Sequence, residues 1–150
     1  MQYWLMKSEP EVFSIADLER DGTSPWEGVR NYQARNFMRD GMKPGDQAFL
    51  YHSSCAVPGI AGVMEICRAA YPDPTQFDRR SPYFDAASQR DAPRWLRVDV
   101  RFVRRLPAVI ALERLRGEKS LAGLQLLRRG NRLSVMPVSA AEWRDILKLK

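Results

Sequence analysis

From Trp95 to Leu106 the chain reads WLRVDVRFVRRL. Leu96, Val98, Val100 and Phe102 alternate with Arg97, Asp99 and Arg101, and a period of two puts the apolar set on one face of a strand. QYWLMKS (2–8), stopped by Pro10, predicts an earlier strand with aromatic and branched content. QAFLYHS and GIAGVMEICRAAY predict two more around a loop holding Pro58 and Gly59, and RLSVMPV predicts a last one. KPGD (43–46) is a turn signal.

The helical period is shorter and more scattered. Ser14 followed by Asp17 marks a helix start, Ile15 and Leu18 share a side, and Asp21-Gly22 closes it. NYQARNFMRD predicts a helix opening at Asn31, with Ala34, Phe37 and Met38 on one flank and Gly41 at its end. Short helical pieces are expected over 110–116 and 121–128. Ser139 and Glu142 form a capping box for a final helix that lays Trp143, Ile146 and Leu147 on the body. Residues 72–93, rich in Pro, Asp, Ser and Arg, predict a long irregular surface loop. The expectation is α+β: several antiparallel strands in a small curved sheet or open barrel, with short peripheral helices.

Length and composition narrow this little. The 150 residues suit one domain with a real core, and 45% apolar with 28% charged residues is ordinary for a globular chain. Lys7 interrupts the early apolar run and no apolar stretch reaches membrane-spanning length. The chain is therefore expected to work off the membrane, in the cytoplasm, or in the nucleus of a eukaryote. Charge is more informative. Residues 1–93 carry ten basic and thirteen acidic side chains, whereas 94–132 carry eleven basic and three acidic. Such asymmetry points to a polyanionic partner, with a solvated arginine-rich face as the plainer alternative.

Enzyme chemistry finds few footholds. Cys55 and Cys67 match no zinc or redox spacing, and His52 is the lone histidine. His52 and Cys55 could pair as base and nucleophile, but no orienting carboxylate lies near them in the sequence. No phosphate-cradling glycine loop is present. Neither catalysis, a metal nor a cofactor is expected.

Binding chemistry concentrates in WEGVRNYQARNF (26–37). Trp26 precedes a glycine and is expected in a loop, either as a core plug or as one wall of a slot for a flat ring. Asn31, Gln33 and Asn36 give and accept hydrogen bonds at once, which suits a nucleobase edge. Arg30 and Arg35 can pair phosphate or stack on a base, or they can simply pair acids such as Glu27.

Seven stretches in order, YWLMKSEP, WEGVRNYQARNF, FLYHS, PGIAGVMEI, AYPDPTQFD, WLRVDVRFV and RLSVMPV, resemble the EVE domain family over residues 2–147. That family is PUA-like and related to YTH domains. The resemblance implies one domain over 1–150, a small antiparallel β-barrel flanked by short helices, and a pocket for one extruded nucleotide. It implies a reader of modified bases in nucleic acid, chiefly modified cytosine in DNA; YTH domains hold N6-methyladenine of RNA in an aromatic cage. Carried onto this chain, the pocket would draw on Lys7 and Ser8, on Trp26, Val29, Arg30, Asn31 and Tyr32, on Tyr51, His52 and Ser53, and on Leu133 and Ser134. Phosphates would meet Arg35, Arg97, Arg101, Arg104, Arg128 and Arg129. Some relatives are fused to nuclease modules, for which this chain has no room, so a separate nuclease or restriction partner would do any cutting. The chain is expected to act as a monomer. The alternative is an RNA-binding or nucleoside-binding PUA-like module that ignores duplex DNA.

Overall fold

The computed structural model describes residues 1–150. It is α+β, built on one six-stranded sheet. The strands are β1 (Tyr3–Ser8), β2 (Thr23–Trp26), β3 (Gln47–His52), β4 (Gly59–Pro72), β5 (Leu96–Ala111) and β6 (Val135–Val138). The helices are α1 (Ile15–Asp21), α2 (Tyr32–Asn36), α3 (Leu112–Arg116) and α4 (Ala140–Leu147). No helix is long and apolar enough to cross a membrane.

The caps read from the sequence are formed. Ser14 and Asp17 close a reciprocal capping box on α1, Ser139 and Glu142 close one on α4, and the Asn31 side chain accepts from Ala34 N–H. Each satisfies helix-end donors that would otherwise lack a partner. After α2 the chain widens into a π-helical turn, Phe37–Gly41. The expected helix over 121–128 is instead two single 3₁₀ turns, Lys119–Leu121 and Gln125–Leu127.

Two expectations about the sheet need correcting. The strand order is β2-β5-β4-β3-β1-β6, and β1 pairs with β3 in parallel, so the sheet is mixed. The chain leaves β1, passes through α1, β2 and α2, and re-enters in the same direction; a connection of that length permits what a hairpin forbids. The sheet also does not close into a barrel: β2 and β6 are its two edges. Each edge contains a proline, Pro25 and Pro137, which supplies no backbone N–H for pairing. Repeated register shifts along β4 and β5 bend the middle of the sheet.

The concave side is filled by one apolar core in which α4 lays Trp143 on Phe49, ring centroids 3.8 Å apart. Buried Asp46 sits beside it, accepting from Trp4 Nε1–H at 3.0 Å and from the backbone N–H groups of Gln2 and Lys43. A buried carboxylate is tolerable only when its oxygens are met in this way.

Candidate nucleic-acid interface

Parallel pairing brings the far ends of β1 and β3 to the same rim, where Ser8 lies opposite His52. Lys7 N–H donates to Ser134 O at 2.8 Å and Ser53 N–H to Ser8 O at 3.0 Å, tying the approach to β6 into that rim. The other edge of the sheet brings Ser24, Pro25 and Trp26. A cavity of about 480 Å³ lies between them, lined by Lys7, Ser8 and Ser53 on one side, by Leu133 and Ser134, and by Ser24 to Val29 on the other. Edge strand β2 borders it on one side and the segment leading into β6 on the other.

Trp26 lies on β2 and not in a loop, paired with Val98 and only 6% exposed. Its indole meets Phe13 edge to face, centroids 6.3 Å apart at 89°. Trp4 and Trp95 give their indole N–H groups to Asp46 and Asp85. The one side-chain nitrogen or oxygen both buried and unpartnered is Arg97 Nε, so the Trp26 N–H, which bonds to nothing in the protein, is not sealed off. The indole is a core side chain with one border open to the cavity.

Of the residues expected at the pocket, Lys7, Ser8, Trp26, Val29, Ser53, Leu133 and Ser134 line the cavity. Five others do not. Arg30 faces away and holds the loop after β4. Its Nε and Nη2 donate to Tyr83 O (3.0 and 2.8 Å), Nη2 also to Thr75 Oγ1, and Nη1 to Val29 O and Asp73 Oδ2. Asn31 is occupied as the α2 cap. Tyr32 is half exposed and stacks on Trp95. Tyr51 is buried beneath Lys7, whose Nζ lies 5.8 Å from its ring centroid. His52 Nε2 accepts from Ile15 N–H at 3.1 Å, anchoring α1. Burial, and then nearby Arg105, lower the His52 pKa, which keeps the imidazole in the neutral form able to accept.

The loop read as irregular is organised. Asp73 caps a 3₁₀ turn, Pro74–Phe77, and buried Gln76 bonds to Asp73 O, Trp95 O and Trp95 N–H. Burial alone would raise the Asp73 pKa, but donors from Gly28, Thr75 and Arg30 outweigh it and hold the carboxyl below its usual value. This framework places the Tyr83 ring against Gly28 at the mouth of the cavity. Gly28 has φ +84°, and a Cβ there would lie 2.7 Å from the ring. Only glycine allows both that backbone and that approach. Ser24, Pro25, Tyr83, Glu9, Val12, Phe13 and Arg132 are among the lining residues the sequence did not flag. Phe13, next to the Ser14 cap, reads as a helix staple, and nothing in the sequence links Tyr83 to Gly28.

Electrostatics differ around the rim. Lys7 and Glu9 take part in none of the ion pairs, and burial lowers the Lys7 ammonium below the ordinary lysine value. Of the expected phosphate contacts, Arg97 pairs with Glu27 at 2.8 Å and Arg101 with Glu65 at 2.6 Å. Arg35 donates to Asn36 Oδ1 and Arg94 O and covers the Tyr32 ring. Arg104, Arg128 and Arg129 are exposed and unpaired, the last two in a neighbouring cleft of about 330 Å³.

The EVE domain model matches residues 2–149. The chain belongs to the EVE domain family. Mouse thymocyte nuclear protein 1 is 47% identical over 167 residues, covering 99% of this chain and 73% of that protein. The crystal structure of a Pseudomonas syringae protein superposes with TM-score 0.96 at 52% identity, over 98% of both chains. Human THYN1 protein, solved in complex with 5-methylcytosine-containing DNA, superposes with TM-score 0.94 at 45% identity, over 99% of this chain and 97% of that one. As an EVE domain, the chain thus shares its fold with a protein captured on modified DNA.

Proposed function

We propose that this EVE domain reads DNA by accepting a single C5-modified cytosine, turned out of its strand, into the cavity between β2 and the segment leading into β6. The observation that carries the reading is the Trp26 indole: locked by the core, yet open along one border with its N–H unpaired. Its likeness to human THYN1, solved with 5-methylcytosine-containing DNA, supports the choice of base. The cavity volume, 480 Å³, falls in the range of small-molecule sites, roughly 300–1,000 Å³.

Turning a base out costs a few kcal/mol, and stacking on an aromatic ring returns about 1–3 kcal/mol. The rim must supply the difference. A cytosine edge offers an amino donor beside ring-nitrogen and carbonyl acceptors. Glu9, a free carboxylate, suits the donor; Lys7, Ser8, Ser53 and Ser134 suit the acceptors. A methyl group adds about 0.8 kcal/mol when buried, and Phe13 and Val12 supply apolar lining. The domain acts as a single copy, and any strand cleavage belongs to a separate protein.

The test is a titration of duplexes carrying cytosine, 5-methylcytosine or an abasic site. Trp26→Ala is expected to lose about 1–3 kcal/mol on the modified duplex, with Trp26→Phe intermediate. Equal affinity of wild type for the modified and abasic duplexes would refute base capture. A thermal shift from the free nucleoside, without duplex binding, would favour a nucleoside-binding module instead.

A further inference from the structure

The second cleft shares Arg132 and Leu133 with the base cavity, so the two adjoin. Arg128, Arg129 and Arg132 line it, no Asp or Glu does, and none of the three guanidinium groups is in an ion pair. Two of the arginines on β5 are placed differently: Arg97 and Arg101 face Glu27 and Glu65. Three like charges crowded on one turn repel one another unless an anion joins them. The turn is deliberately shaped: Gly130 adopts φ +78° and Asn131 N–H closes onto Arg128 O at 3.1 Å. Asn131 is tethered by Gln125 and by Met136 Sδ. Across the cleft Asn31 uses its carbonyl oxygen on the α2 cap, which leaves its NH₂ to donate. The cleft therefore presents donors and positive charge, the complement of a phosphodiester with its two charged oxygens.

We infer that this cleft seats the phosphate immediately beside the captured base, so that the domain reads a nucleotide together with one neighbouring backbone charge. The inference rests on the base-capture reading. Arg132 borders both spaces and would sit at the joint between base and backbone. The paired Arg97 and Arg101 contribute to the general field only.

A double-mutant cycle on the DNA tests it. A 5-methylcytosine oligonucleotide is made with a neutral methylphosphonate at the phosphate 5′ or 3′ to the modified base, or four nucleotides away, and titrated against wild type and Arg128→Gln/Arg129→Gln. Both arginines are exposed, so the variant retains the fold. Wild type is expected to lose about tenfold at one adjacent position. The variant is expected to lose about tenfold on the unmodified backbone and little more when that phosphate is neutralised. Its plot of log affinity against log salt should also flatten by about 1. Equal losses for the two proteins at every position would overturn the cleft assignment. Failure of base capture shows separately, as wild-type indifference to the abasic duplex.

Discussion

Arg30 offers a sharp test, because its sequence reading and its structural position assign it different work. Replacing it with Met keeps the aliphatic stem and removes five hydrogen bonds at once, to Val29 O, Asp73, Thr75 and twice to Tyr83 O. Its side chain is 21% exposed and that of Asp73 is fully enclosed. Breaking a buried ion pair typically costs about 3–5 kcal/mol. Asp73 keeps donors from Gly28 and Thr75, which lowers the expected loss to about 2–4 kcal/mol. Arg30→Lys restores the charge on a single ammonium without the planar fork, so it should recover less than half of that loss. Urea denaturation gives the stability, and amide exchange at Asp73 and Asp85, whose N–H groups bond to Trp95 O and Gln76 O, reports the loop. Wild-type stability and protection in the Met variant, combined with weakened DNA binding, would refute the structural role and return Arg30 to the ligand.

Three further outcomes are expected. Gly28→Ala forces a left-handed backbone, costing about 1–2 kcal/mol, and pushes a methyl into the Tyr83 ring, so calorimetry should show a larger loss than at Gly45, which has φ +97° and open space where a Cβ would go. Asp46→Ala leaves the Trp4 indole and two backbone N–H groups without acceptors; denaturation should show a loss of about 3 kcal/mol or more. The folded His52 resists protonation, whereas the unfolded one takes its proton near pH 6.5, so stability is full above that value and falls as pH drops below it. Asp73, also held low, adds a second loss below about pH 3.8. Urea midpoints from pH 8 to 3 follow both, and His52→Asn should abolish the first phase only.

Local signals were the legible ones. The capping boxes at Ser14 and Ser139 and the alternation at Val98 and Val100 each depend on neighbours a few residues away, and each stands in the structure. The parallel β1–β3 pair was not legible, because alternation says which face is buried and nothing about strand direction. Strand β2 was missed for a related reason: four residues containing Pro25 carry too little pattern to separate an edge strand from a loop. At the site, residues on strand ends (Lys7, Ser8, Ser53) were readable from type and place in a family motif. Tyr83 was not, since its position depends on an Arg30–Asp73 contact spanning 43 residues. Arg30 itself carried a charge that suited phosphate equally well, and only its surroundings decide between the two.

An open sheet is held least firmly along its free edges. The prolines at positions 25 and 137 each take one backbone donor from those edges, and the strand bearing Trp26 and the segment before Val135 form lips of the cavity with no ladder between them. A guest touching both lips becomes the keystone. Occupancy should then be felt furthest from the chemistry: amides of the short strand bearing Trp26 and of the segment around Leu133 would slow their exchange together, while those of β4 hardly change.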